Sequence, residues 1–238
     1  MCGRFTSLTS PEDVARVFGA EPPNPELFSN FTPNYNVPPT TSIMAVLRDS
    51  SGVRRVGRFQ WGLVPHWAKD RSGAARLINA RSETVLEKPS FTSSVPARRC
   101  IIPMDGFFEW RTVGVDPKGP KRPVYVTRRD GDLLAVAGLW ATWKDRSGDG
   151  PALHSCCVIT TAANATMSPI HNRMPVILER PDWDAWLAVG IDGTSTDDVV
   201  SLMIPADDDV IVPREVSTAV NSVRNKDASL IEPLPPSV

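Results

Sequence analysis

The chain is poor in the residues that announce common chemistries. It has three histidines and four cysteines, and the cysteines (Cys2, Cys100, Cys156 and Cys157) contain no CxxC pair. That spacing excludes a zinc ribbon and gives no disulfide framework; adjacent Cys156 and Cys157 in an apolar run would point to opposite faces of a strand. No stretch approaches the ~18 apolar residues of a membrane span, and residues 1–20 carry acids where a signal peptide needs a basic and then apolar run. A cytoplasmic protein without a membrane partner is expected. No GxGxxG or P-loop is present, so no nucleotide cofactor is implied, and none of any kind is expected.

Net charge is also nearly absent, at −1 over 238 residues. The balance conceals polarity: residues 1–130 hold 19 Lys and Arg against 12 Asp and Glu, and the remainder holds 7 against 15. A basic half is the electrostatic footprint of a polyanion site, although unequal halves also arise without one.

What is present begins at Met1-Cys2-Gly3-Arg4-Phe5. A small second residue invites removal of Met1, leaving an α-amine (pKa about 7.7–8.0) and a thiol (about 8.5) on Cys2. An amine condenses with an aldehyde to a Schiff base, and an adjacent thiol closes a thiazolidine on it. Position alone favours an ordinary residue near a frayed end.

Along the chain, Ser10-Pro11-Glu12-Asp13 reads as a helix cap, with Gly19 as the stop, giving a helix over 11–18. Six prolines between 22 and 40 indicate an irregular extended segment whose end, Asn34-Tyr35-Asn36-Val37-Pro38-Pro39-Thr40, would line a site. Short β-type runs follow at 42–48, 53–60, 100–103, 107–111, 123–128, 133–140, 153–160, 174–178 and 210–220, with further helices near 82–88, 162–168, 181–189 and 196–203. These patterns predict an α+β chain: a single domain over 1–238, with a curled, barrel-like antiparallel β-sheet core, a few short peripheral helices and a loose tail from about 233.

Four polar groupings sit in apolar, β-rich surroundings, where an unpaired polar group is costly. Glu109, flanked by Phe107, Phe108 and Trp110, is either set at an apolar sheet surface, a setting suited to proton transfer, or turned to solvent by strand alternation. His171 lies in a polar turn before Val176-Ile177-Leu178 and is either an acid–base residue or a structural one. Asn79 would orient a reacting group, with Arg81 on its face if the segment is extended; a helix-capping asparagine with a solvent arginine is the other reading. Arg173 repeats that spacing behind His171, and two guanidiniums near a site suit phosphates. Trp67, after Pro65 and His66, would stack on a base or belong to the core. His154 reads as a packing residue.

In order, MCGRF, YNVPPT, WGLVPHWA, NARSET, RRCIIPMDGFFEW, AGLW, ITTAAN, IHNRMPVIL and VNSVRN resemble the SOS response-associated peptidase (SRAP) domain family across nearly the whole chain. The resemblance implies a single α+β domain on a curled antiparallel sheet. It also implies a protein that shields abasic sites in single-stranded DNA by covalent attachment through the N-terminal cysteine; a monomer is expected, and whether a junction with duplex takes part is left open by the sequence. Carried over by motif, the family's reactive residues fall on Cys2, Asn79, Glu109 and His171. Its phosphate contacts fall on Arg4, Arg81 and Arg173, with Pro39, Thr40 and Trp67 beside the strand. The chain departs from the family pattern at Phe107-Phe108 and Asn172. Two other activities share the residues: a thiol peptidase with Cys2 as nucleophile, His171 as base and Asn79 as oxyanion donor, and a non-covalent binder of DNA junctions.

Overall fold

The structure, a computed structural model, describes residues 2–114, 116, 118–145, 148, 150–188 and 195–234. The described strands are β1 (Phe5–Ser7), β2 (Asn34–Val37), β3 (Ser42–Arg48), β4 (Arg54–Trp61), β5 (Asn79–Arg81), β6 (Arg99–Met104), β7 (Gly106–Thr112), β8 (Lys121–Arg128), β9 (Leu134–Trp143), β10 (Leu153–Ala162), β11 (Arg173–Pro175) and β12 (Ile211–Glu215). Four short α-helices accompany them: α1 (Pro11–Phe18), α2 (Pro25–Phe28), α3 (Trp183–Leu187) and α4 (Thr196–Ser201).

One sheet runs β12-β8-β7-β1-β2, all antiparallel. In the other, the path from β10 through β4, β3 and β6 to β9 returns to β10, so these strands close into a barrel, with β11 and β5 added along β10. The expected curled sheet is therefore there, with one refinement: β10 pairs in parallel with β4 and β5, which long crossovers permit.

Strand alternation divides the core. Val46, Ile101, Ala137, Cys157 and Ile159 face the side covered by α1 and α3. Ile43, Ala45, Cys100, Ile102, Cys156 and Val158 face the side shared with Phe5, Phe107 and Val124 of the five-stranded sheet. Cys156 and Cys157 thus point oppositely, and all four cysteines are buried free thiols. Each fully buried aliphatic or aromatic side chain contributes about 1.5–3 kcal/mol, and these two layers hold the sheets in register. Gly106 is required where β1 crosses β7: a Cβ there would lie 2.5 Å from the Tyr125 ring, whose hydroxyl sits 2.7 Å from Thr6 Oγ1.

Helix α1 forms as its sequence dictates. The Ser10 hydroxyl accepts from Asp13 N at 3.1 Å, Pro11 opens the first turn, and Gly19 closes it at φ 60. Two other expected helices do not form. Residues 82–88 make a 3₁₀ turn, Ser82–Thr84, followed by turns. Residues 162–168 end β10 and then turn, because Asn164 spends its side chain on Met167 N and on the Ala206 carbonyl, and Asp208 takes Ala165 N. The helix expected at 181–189 is divided between a 3₁₀ turn, Arg180–Asp182, and α3; residue 189 lies outside the described residues. The proline-rich segment contains α2 and β2. At the C-terminus Pro233 bridges Val216 and Leu234 N donates to Glu215 O at 3.0 Å; residues 235–238 of the expected tail lie outside the described residues. No described helix is long and apolar enough to cross a membrane.

Candidate functional site

β1 lies between β2 and β7, so the chain's beginning is held by neighbours on both edges. The pairing Phe5↔Phe107 and Thr6↔Gly106 continues through a Phe108 N to Arg4 O hydrogen bond of 2.9 Å, which brings Glu109 opposite Gly3 and beside Cys2. Alternation turns Glu109 to the same side as Phe107, inward, where it is only 3% exposed. That resolves the ambiguity left by the sequence. Cys2 is 1% exposed. Burial pushes its thiol far above the ordinary range, and the Glu109 carboxylate pushes it further, so at neutral pH the sulfur keeps its proton. Met1 lies outside the described residues.

Asn79 opens β5, where it pairs with Val158; it is a strand residue and caps no helix. Its Nδ2 donates to the Cys2 carbonyl at 2.9 Å. Its Oδ1 is buried and has no hydrogen-bond partner among the described residues, an acceptor available to an incoming group. His171 follows a turn in which Ile170 N and His171 N both donate to Met167 O, at 2.8 and 2.9 Å. Its Nδ1 accepts from Arg173 N at 3.0 Å, which requires Nδ1 to be bare and places the neutral ring's proton on Nε2. Burial lowers the imidazole below its usual range, against the pull of Glu109, which favours the charged form.

The residues expected at phosphates divide. Arg81 is exposed at the end of β5. Arg173 is half-buried, its guanidinium gripping both Glu83 oxygens and donating to Thr160 O at 2.6 Å. Arg4 is half-buried too, bonding Asn36 Oδ1 at 2.7 Å and Val220 O at 3.1 Å, with Trp110 5.8 Å beneath it. Pro39 is half-buried. Thr40 is exposed and takes φ 68, a left-handed conformation that is strained for a β-branched residue. Trp67 is 49% exposed, with Nε1 donating to Pro89 O at 3.4 Å, and so does not belong to the core.

Sequence reasoning missed three neighbours. Asn36 is fully buried and donates from Nδ2 to the carbonyls of Val220, Ser222 and Asn225. Trp110 Nε1 donates to Asn221 Oδ1 at 2.7 Å. Glu83 holds Arg173. The signal for Asn36 was an amide inside the flagged YNVPPT stretch, and for Glu83 an acid inside NARSET.

An N-proximal thiol, a buried carboxylate, a half-buried imidazole and an amide thus meet where two sheets join. This defines an α+β protein in which the head of a strand, at Cys2, lies beside a buried carboxylate and an amide side chain. The chain belongs to the family described as SOS response associated peptidase (SRAP), whose sequence profile matches residues 1–223. It is 40% identical over 232 residues to the abasic site processing protein YoqW of Bacillus subtilis (strain 168), covering 98% of this chain and 99% of that one. It is 30% identical over 259 residues to the abasic site processing protein HMCES of Xenopus tropicalis, covering 94% of this chain and 76% of that one. Among solved structures, a protein from Bacteroides thetaiotaomicron superposes with a TM-score of 0.84 at 25% identity, covering 98% of this chain and all of that one.

Proposed function

We propose that this chain recognises abasic sites in DNA and, once Met1 is removed, captures them in single-stranded DNA as a thiazolidine on Cys2. The observation that carries this reading is the gathering of Glu109, Asn79 and His171 around Cys2. The proposal draws support from relatives that bear the name abasic site processing protein.

The closed lesion sugar must first open. His171 delivers a proton to the ring oxygen while Glu109 takes one from the C1′ hydroxyl, each step worth about 10²–10⁴-fold. The Cys2 amine then attacks C1′ and water leaves, giving the imine. The Cys2 sulfur adds to that carbon and its proton passes through Glu109 to the nitrogen. One water is lost overall, and nothing is oxidised or reduced. Asn79 holds the Cys2 carbonyl throughout, fixing amine and thiol on one side of the sugar. Because the thiol is buried and protonated, the amine reacts first.

A thiol peptidase would run instead on a thiolate–imidazolium pair. Burial works against the thiolate half of that pair by raising the Cys2 thiol, and this disfavours the peptidase reading.

The test is to mix the purified protein, its N-terminus defined by intact mass, with single-stranded DNA carrying one abasic site and resolve the products under denaturing conditions. An adduct formed with Cys2 at the terminus, absent when residues are retained ahead of it, is expected. Cys2→Ala keeps the amine and should leave at most a reversible imine. Equal adduct formation by the N-terminally extended protein would overturn the mechanism, and equally durable binding by Cys2→Ala would favour a non-covalent binder.

A further inference from the structure

Of the three arginines that the sequence pointed toward phosphates, two have their guanidiniums engaged within the protein: Arg4 on Asn36 and Val220, and Arg173 on Glu83 and Thr160. A different pair lies on the face of Glu109. Across β7 and β8, Glu109 stands opposite Val124 and Arg111 opposite Arg122; from β12, Glu215 stands opposite Val124. Residues directly opposite share a face of the sheet, as do residues two apart on one strand, so Glu109, Arg111, Arg122 and Glu215 project to one side.

Arg111 Nη2 donates to Glu215 Oε1, and Arg122 Nη1 donates to Oε2 at 3.4 Å. The three side chains are 41%, 53% and 29% exposed. Half-exposed ion pairs contribute little to stability, so stability is a poor reason for setting two arginines on one acid. What the arrangement does is hold two forks side by side with one positive charge in excess, and the complement of that array is a tetrahedral monoanion with two unshared oxygens. The array begins two residues along the strand from Glu109, about 6.8 Å at the usual strand rise. That is close to the length of one extended nucleotide.

We infer that Arg111 and Arg122, organised by Glu215, form a subsite for the phosphodiester immediately next to the lesion sugar. The inference rests on the proposed function for the identity of the strand. It adds a phosphate grip on the five-stranded sheet, apart from Arg173, which belongs to β11 of the other sheet.

The experiment replaces single phosphates with neutral methylphosphonates, one at a time, on either side of a non-reactive tetrahydrofuran abasic analogue in single-stranded DNA. Affinity is measured for the full chain and for Arg111→Gln/Arg122→Gln across a salt series. One flanking methylphosphonate should weaken the unaltered protein about 5- to 30-fold and leave the double variant's affinity unchanged. The double variant's salt slope should be smaller by about 0.7, because it neutralises one phosphate fewer. If no flanking methylphosphonate distinguishes the two proteins, or both lose affinity equally at each, the subsite does not exist. Binding of this DNA with the expected pattern, combined with no adduct on natural abasic DNA, would overturn the chemistry and keep the subsite; no binding to single-stranded DNA would overturn both. The methylphosphonate series on the unaltered chain requires no variant to fold.

Discussion

Replacing Asn36 with alanine tests how the head of β1 is held. Its Oδ1 receives Arg4 Nη1 at 2.7 Å, and the two hydrogens on Nδ2 serve the carbonyls of Val220, Ser222 and Asn225 at 3.2, 3.0 and 2.9 Å, so one hydrogen is shared. A buried bond to a charged group is worth roughly 1.5–3 kcal/mol and each neutral one roughly 1 kcal/mol. Relief is partial, since Val220 O keeps Arg4 at 3.1 Å and Ser222 O keeps Asn225 N at 3.1 Å. The net loss should be about 3 kcal/mol, which at ~2–4 °C per kcal/mol for a chain of this size lowers Tm by about 6–12 °C. Calorimetry or circular dichroism reads that directly. Hydrogen exchange should locate it, with amides of 217–225 losing protection more than those of β9 and β10. Asn36→Asp keeps the acceptor for Arg4 but turns a carboxylate toward three carbonyls, so it should be at least as destabilising. A loss below about 1 kcal/mol for Asn36→Ala would mean that the segment 220–225 is held by the Trp110–Asn221 and Arg4–Val220 hydrogen bonds and the packing of Val220, and Asn36 would not be the tie between β2 and the C-terminal segment.

Two further outcomes follow from the same geometry. Thr40→Gly removes the steric penalty of φ 68 and should raise Tm by a few degrees, corresponding to about 1 kcal/mol set against the entropy of the added glycine; a lower Tm would mean that the threonine is not strained. If His171 delivers the proton that opens the sugar, the rate of adduct formation at saturating DNA should carry a limb that falls as pH rises through a value below the ordinary histidine pKa of about 6.5, because burial has lowered it, and His171→Gln should abolish that limb along with about 10²-fold or more of the rate. A limb unchanged in His171→Gln would assign the proton to another group.

The regular elements were legible where local chemistry decides them. Ser10, Pro11 and Gly19 fix α1, and the alternating runs fix β3, β6, β9 and β10 with shifts of only a residue or two at most ends. The helix expected near 162–168 fails to form because tertiary partners take over the local signals: Asn164 caps a turn tied to Ala206 and Asp208 forty residues away. The very short strands β1 and β5 carry no period that three residues could display, yet they hold Cys2, Arg4 and Asn79 in place. At the candidate site, residue type and motif point to Glu109 and His171 but do not say which way Glu109 points; only pairing with β1 and β8 settles that. The arginines show what sequence leaves undetermined. A guanidinium near an expected phosphate looks the same in sequence whether its fork faces solvent, as at Arg81, or is already closed on Glu83 or Asn36.

Chain termini are usually the least ordered part of a domain, and a nucleophile carried there would be exposed to any electrophile in its surroundings. Here the strand that begins at Phe5 is an interior strand of its sheet, with β2 on one edge and β7 on the other, and Cys2 just before it is almost fully enclosed. Enclosure has two chemical effects that act together. It holds the thiol protonated, which suppresses its reaction with passing oxidants and alkylating agents, since the thiolate is the reactive form. It also sets the buried Glu109 carboxylate beside that thiol, which on the proposed mechanism is the base that takes the sulfur's proton once an imine has formed. On the proposed mechanism, selectivity for an aldehyde therefore comes from order of events: the amine must condense first, and only the carbon it has captured lies where the sulfur can add. A thiol activated in advance would gain speed and forfeit that selection.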